Sequence, residues 1–529
     1  MIYTYTRYFL GEELVRVLNI LYSILLLGFV SNIELMDYPK SKKDNVNEVI
    51  FGQNIEDPYR WLEDFSEENV ISWVEEQNNF TDKFLENEFQ KKIKKDLKDI
   101  WITEDISIPF RRGDKTFYFF SDGKKQQAVF MMEDCIKCDP EVILDPNEFS
   151  EDGTVSLSEI SVSPNGEYLA FSLSDGGSDW KTWKVLDIKE RKETDDLIRW
   201  SKFSYATWES DSSGFYYQKY QQPDEVLSDI NRSPQLFFHR LGDKQDEDKL
   251  IYEDKENPDF SWSINVPEKG SYRILSIGEG TDERNFLYIS LDGSSNFVPV
   301  IDKFEATYRF LGGNEDTLWF FSNLEASNGR ILSLQIKDDG FIWNEVVQER
   351  KFPISGASVV GDKLIINYLE DTISRVEFFN LNGDFIKKLE FQEEGTLSGF
   401  SGKLGKRHSF FQFSNFINPQ SIYELDLDTL EFKLYWKNKI KNLVIENYET
   451  KLNFYESKDG TKIPIHLAYD KSINITSDTP VLLYGYGGFN IPILPNFSKK
   501  FYMWIKSGGV LAITNPVSYT HLRAHETRP

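Results

Sequence analysis

The sequence predicts an all-β, seven-bladed β-propeller followed by the first strands of an α/β sheet. Three observations carry this reading. Between residues 102 and 450 a strand pattern recurs at about 45–57 residues, the spacing of propeller blades. Each recurrence holds one aromatic-rich strand, and aromatics make up 15% of the chain, as expected of pleated, half-buried surfaces. Beyond the repeat, apolar strands end in a glycine cluster, which is how an α/β sheet begins.

The chain has 529 residues, more than one ordinary core can hold. Hydrophobic residues are 40% and charged residues 28%, a globular composition. The formal net charge is −26, and a surface this acidic repels phosphates, which argues against nucleic acid or an anionic membrane as partner. Solubility alone also explains such an excess of Asp and Glu. The two cysteines, Cys135 and Cys138, exclude a disulfide framework and fit a reducing, cytoplasmic setting. Their C-x-x-C spacing lacks the second ligand pair that a structural zinc needs, so they read as incidental thiols in a loop. No metal and no cofactor is expected.

Residues 17–30 (VLNILYSILLLGFV) are strongly apolar but fall short of the roughly 20 residues that span a bilayer. They lack a clean small-x-small cleavage site. Met36 is read as the natural start, with residues 1–35 as translated upstream sequence. Residues 67–85 form an amphipathic helix, since Val70, Trp73, Val74, Phe80 and Phe84 fall mostly at helical spacing.

The aromatic strands of the repeat are TFYFF (116–120), EYLAF (167–171), GFYY (214–217), YRILS (272–276), TLWFF (317–321), KLIIN (363–367) and SFFQF (409–413). Turn sequences such as Ser163-Pro164-Asn165-Gly166 and Asp211-Ser212-Ser213-Gly214 precede them, as tight hairpins require. An array of β-sandwiches would alternate similarly, but no linkers separate the units, which favours the propeller. After the repeat, residues 451–455, 462–468 and 481–484 read as strands, and 510–513 as a buried one. The tail from 516 carries His521 and His525 at i, i+4, with no following Glu base and no third ligand. It reads as a non-native extension.

Four separated motifs carry a resemblance: DPYRWLED (57–64), SDGGSDW (174–180), SKDGTKIP (457–464) and YGYGGFN (484–490). Together they resemble the prolyl oligopeptidase family, over most of the chain. The resemblance implies a seven-bladed propeller capping an α/β-hydrolase domain assembled from both chain ends, here incomplete. It implies five segments: a non-matching extension (1–35), the N-terminal part of the hydrolase domain (36–101), the propeller (102–450), the first hydrolase strands (451–515) and the tail (516–529). The implied activity is a serine-type endopeptidase cleaving short peptides after proline. Its implied partners are proline-containing peptides, and the expected state is a monomer.

By the same resemblance Tyr486 is the oxyanion donor, Phe489 lines the pocket for the substrate proline, and Phe203 lines the substrate site. Glycines after an apolar strand do let the backbone turn sharply, and a Tyr held there can donate to a developing oxyanion. From spacing alone, both aromatics read as core packing. Many family members carry an Arg at the place of Gly278 and a Cys at that of Thr281, so a polar substrate contact from that blade is in doubt. No G-x-S-x-G nucleophile elbow occurs in the sequence. The family would continue after Asn515 with an Arg-Gly-rich stretch, then the nucleophile, acid and histidine. The expectation is therefore a fragment without its triad, inactive as written. The alternatives are a non-catalytic propeller that binds peptides or proteins, and a propeller anchored by residues 17–30.

Overall fold

The computed structural model describes residues 38–515, apart from 136–137, 224–231, 270, 338–339 and 489–490. The expectations for residues 1–35 and for the tail lie outside these residues. No described helix is long and apolar enough to cross a membrane.

The chain divides into two compact units, residues 1–95 and 96–529. In the first, a hairpin pairs Asn47–Ile50 with Gln53–Glu56. A helix follows over Glu68–Leu85, one residue from its predicted start, and another begins at Glu88. The DPYRWLED motif is a charge-clamped turn. Arg60 donates to Asp57 at 2.6 Å and to Glu48 at 2.6 Å, while Trp61 packs edge-on against Trp73 of the helix at 6.2 Å.

The second unit contains seven consecutive antiparallel blades, spanning residues 105–144, 155–201, 207–253, 260–301, 308–347, 354–388 and 396–437. Blades 2 and 3 join in one sheet through the pair Ser201↔Lys219. A buried apolar cluster fills each gap between neighbours, such as Phe117, Phe130, Leu169 and Phe171 between blades 1 and 2. Others lie between blades 2 and 3, 3 and 4, 4 and 5, 5 and 6, and 6 and 7. Ile106 and Tyr118 of blade 1 meet Phe410 and Ile422 of blade 7, which closes the ring. The closure is made by side chains, since each blade is built from strands consecutive in sequence. Glu133 of blade 1 accepts hydrogen bonds from Tyr118 at 3.0 Å and from Tyr435 of blade 7 at 3.1 Å.

The aromatic strands are the second strands of their blades. A second strand has hydrogen-bonded neighbours on both edges and a blade against each face, so its large rings are buried. The turn at Ser163-Pro164-Asn165-Gly166 needs its glycine: Gly166 has φ +74°, and a Cβ there would lie 2.8 Å from the Arg112 carbonyl oxygen.

Cys135 and Cys138 depart from expectation. They are bonded to one another, not free. The Cys138 amide donates to the Cys135 carbonyl at 3.2 Å, a turn that brings the Cα atoms to 5.2 Å, within disulfide range. Their place in a loop is as expected, here between the third strand of blade 1, Val129–Glu133, and its outer strand, Glu141–Leu144.

Residues 448–514 form a four-stranded sheet in the order Tyr448–Glu456, Lys462–Asp470, Val510–Thr514, Val481–Tyr484, with the last pair parallel. A helix, Lys499–Lys506, precedes the strand Val510–Thr514 and buries Tyr502, Met503 and Ile505. The sequence reading gave no helix here. Val481–Tyr484 is an edge strand and is exposed throughout.

Candidate substrate site

Inner strands of the blades all run in one direction, so the channel has two distinct mouths. One is ringed by the segments entering the inner strands and by the turns between second and third strands. Phe203, just ahead of blade 3, stands at this mouth. Its side chain is 63% exposed, and its backbone is left-handed at φ +51°, a conformation costing a non-glycine residue about 1–2 kcal/mol. An aromatic ring held out in water on such a backbone is a pointer to function.

The SDGGSDW motif supports this ring. Ser174 Oγ donates to the Ser178 carbonyl and closes the loop. Lys202 Nζ lies 5.3 Å from the Trp180 ring centroid and 5.2 Å from that of Phe203, with the Asp179 carboxylate at 3.7 Å. Trp180 in turn meets Trp200 edge-on at 5.7 Å. Sequence reasoning did not single out Lys202. Its place immediately before Phe203 in the sequence was the only available signal.

Phe203 borders a cavity of about 630 Å³ between blades 3, 4 and 5, lined also by Tyr205, Ser261, Gly278, Arg284 and Arg309. This size is typical of ligand sites. Gly278 lines the cavity, and a Cβ there would meet only Ser261 Oγ, at 3.7 Å. The small residue therefore leaves room. Thr281 lies on the exposed turn beyond it and does not line the cavity.

The sheet of residues 448–514 docks at the same mouth. His466 Nε2 contacts Thr372 Oγ1 at 2.6 Å, and Thr372 belongs to a turn between second and third strands. Thr396 Oγ1 donates to the Pro495 carbonyl at 2.8 Å, and the Phe497 amide donates to Ser414 Oγ at 3.0 Å. Tyr486 follows the edge strand of this sheet. Its side chain is 51% exposed, and its ring lies over Gly488, where a Cβ would sit 3.3 Å from it. Gly485 packs against Thr514, which a Cβ would approach to 2.9 Å. Tyr486 is therefore surface-presented and not core. Phe489 lies outside the described residues.

None of the three β-strand histidines faces a serine. His239 is enclosed by Asp196 and Asp248, His408 faces Glu424 at 3.3 Å, and His466 meets Thr372. Among the described residues no cluster of three or more His, Cys, Asp or Glu side chains is arranged to hold a metal ion.

Comparison with known proteins agrees with this architecture. Residues 38–438 match the family described as prolyl oligopeptidase, N-terminal beta-propeller domain. The chain is 34% identical to the prolyl endopeptidase of Elizabethkingia meningoseptica over 488 residues, which is 92% of this chain and 69% of that protein. It is 28% identical to the prolyl endopeptidase of Dictyostelium discoideum, over 90% of this chain and 73% of the relative. Among solved structures, one from a study of two prolyl endopeptidases superposes with a TM-score of 0.83 at 27% identity, covering 90% of this chain and 71% of the other. A substrate-bound prolyl oligopeptidase B from Galerina marginata shares the fold at a TM-score of 0.83 and 23% identity, covering 90% of this chain and 72% of the other.

Proposed function

Because the chain belongs to the prolyl oligopeptidase family, we propose that it forms the substrate-receiving part of a serine-type endopeptidase that hydrolyses short peptides after proline. The observation that carries this reading is the cavity of about 630 Å³ with Phe203 on its rim, at the propeller mouth where the sheet bearing Tyr486 docks. The sheet of residues 448–514 is then the beginning of an α/β-hydrolase domain.

In this reading the substrate's apolar side chains and proline ring pack on Phe203 and Phe489, whose flat faces suit a pyrrolidine ring. Tyr486 Oη donates to the scissile carbonyl oxygen as negative charge develops on it. The cavity receives residues flanking the proline, and Gly278 leaves it open where a long side chain would narrow it. The nucleophile, acid and base are not supplied by these 529 residues, which contain no G-x-S-x-G elbow. Loss of a triad nucleophile or base costs on the order of 10⁶ in turnover, so the chain as written binds and does not cleave. The expected state is monomeric, and the Cys135–Cys138 bond removes the ground on which a cytoplasmic setting was expected.

Two measurements test the reading. The purified chain is expected to bind a fluorescent proline-containing peptide saturably and to leave a Gly-Pro reporter peptide intact. Reporter turnover sensitive to a serine-directed inhibitor would overturn the inactivity, and absence of peptide binding would overturn the substrate site. A second reading is a propeller that binds peptides without cleaving them in any form. It differs in expecting no in-frame elbow in the source transcript beyond the codon for Asn515.

A further inference from the structure

The propeller channel has a second mouth, at the end opposite Phe203. Residues just beyond the C-terminal ends of the inner strands ring it. Arg112 ends the inner strand of blade 1, Glu268 follows that of blade 4 (Phe260–Asn265), and Lys403 follows that of blade 7 (Thr396–Ser401). Blades 1 and 7 are neighbours, and blade 4 lies across the channel from them. Lys403 Nζ nonetheless reaches Glu268 Oε1 at 3.5 Å, so these side chains extend into the channel.

The charges there do not balance. Burial lowers the Lys403 pKa, Glu268 opposes the shift, and the nearby Arg112 charge adds to it. Burial likewise lowers the Arg112 pKa against the attraction of Glu268. Glu268 is thus the carboxylate shared by two cations. A third cation stands beside them. Arg111 and Arg112 line a cavity of about 390 Å³, together with Ser401 and Gly402. Arg111 donates to the Asp114 carbonyl at 2.9 Å, while its Nε is buried and has no hydrogen-bond partner among the described residues. The far wall is a bulge in the inner strand of blade 7, where Gly399 and Phe400 both take left-handed backbone at φ +107° and +56°.

In a chain of net charge −26, Arg112 and Lys403 sharing one carboxylate at desolvated positions, with Arg111 on the wall of the adjoining cavity, are the reverse of the overall field. Like charges held together out of water are stabilised by a counter-charge. Arginine pairs bind tetrahedral oxyanions through several N–H donors at once. We propose that this mouth is a binding site for a small, multiply charged oxyanion of the phosphate class, held between Arg111, Arg112 and Lys403. The site is separate from the candidate substrate site and does not depend on the peptidase reading. A purely structural role, with Glu268 latching Arg112 and Lys403 across the channel, is the competing account.

Glu268 discriminates the two. As a latch, its loss only destabilises; beside an anion site, it is a competitor whose loss tightens binding. The experiment is titration calorimetry of the 529-residue chain at fixed ionic strength, with inorganic phosphate in one arm and a phosphoserine tetrapeptide in the other. We expect saturable one-to-one binding, weakened about tenfold or more in Arg112→Ala and Lys403→Ala and tightened about threefold or more in Glu268→Gln. Circular dichroism confirms that each variant is folded, and Arg112→Lys serves as a milder second variant with intermediate affinity. Tighter binding of either probe identifies a phosphorylated side chain or the free ion as the source, and both outcomes support the site. No heat in either arm for the wild type and Glu268→Gln overturns it, as does binding that Arg112→Ala and Lys403→Ala leave unchanged.

Discussion

His239 Nε2 lies 2.9 Å from the Asp196 carboxylate, tying the third strand of blade 3 to the outer strand of blade 2. The other ring nitrogen is 2.7 Å from Asp248, and Tyr217 donates to the same Asp248 at 2.6 Å. The imidazole is 0% exposed. Burial opposes its charge, but the two hydrogen-bonded carboxylates outweigh that, and the pKa is raised to about 9. A doubly charged acceptor pair around one imidazolium is a buried clamp between blades.

Replacing His239 leaves two buried carboxylates without their cation, which costs about 3–5 kcal/mol. The pH dependence follows from the raised pKa. The unfolded imidazole titrates near 6.5, so the clamp contributes fully below about pH 6.5. Its contribution is lost as pH rises through about 9. Thermal melts of wild type and His239→Gln from pH 6 to 10 should therefore converge toward the alkaline end. A constant difference across that range would refute the clamp's charge.

His466 behaves oppositely. Buried against Thr372, its pKa is lowered to about 4. The neutral ring is favoured, so its contribution is present above pH 6.5 and lost as pH falls through about 4. Hydrogen-exchange protection over the strand Lys462–Asp470, corrected for the intrinsic pH dependence of exchange, should fall between pH 6.5 and 4. The His466→Gln variant, with no titration there, should show the smaller pH effect.

Glu133 holds the ring closed. Glu133→Ala removes the acceptor that the buried Tyr118 and the half-buried Tyr435 share, at about 1–3 kcal/mol for each hydrogen bond lost. Urea unfolding should lose about 2–4 kcal/mol in this variant. Tyr435→Phe should lose about 1 kcal/mol. A double mutant no worse than Glu133→Ala alone would show that the two act as one contact.

Phe203 separates stability from binding. Because its ring is exposed, Phe203→Ala should leave the melting temperature within about 1–2 °C of wild type. Fluorescence anisotropy should show peptide affinity falling about tenfold, the loss of one aromatic anchor. A large stability loss without a binding change would remove Phe203 from the substrate site.

The blades were legible because each carries its own local signature. Strings such as TFYFF and TLWFF alternate and end at glycine turns, so their strand character needs no distant partner. The SKDGTKIP hairpin and the strand Val481–Tyr484 were readable for the same reason. Tyr486 and Phe203 were legible only through family resemblance, since a lone aromatic beside glycines or polar residues has no period to betray its role. The helix Lys499–Lys506 was missed: its eight residues, KKFYMWIK, also read as a short apolar run. Cys135 and Cys138 were taken for free thiols because spacing does not report whether a turn closes between them.

Sequence alone determined the number of blades, the strand character of each and the lack of a serine elbow in these residues, because all three are local properties of composition, period and motif. Tertiary structure decided what the charged and aromatic side chains do. Only the ring brings Glu133 to Tyr435, Asp196 to His239 and Lys403 to Glu268, pairs whose members are too far apart in the chain for any periodicity to connect. Burial then sets their protonation and strength, since a charge or hydroxyl removed from water is governed by the few groups the fold places beside it.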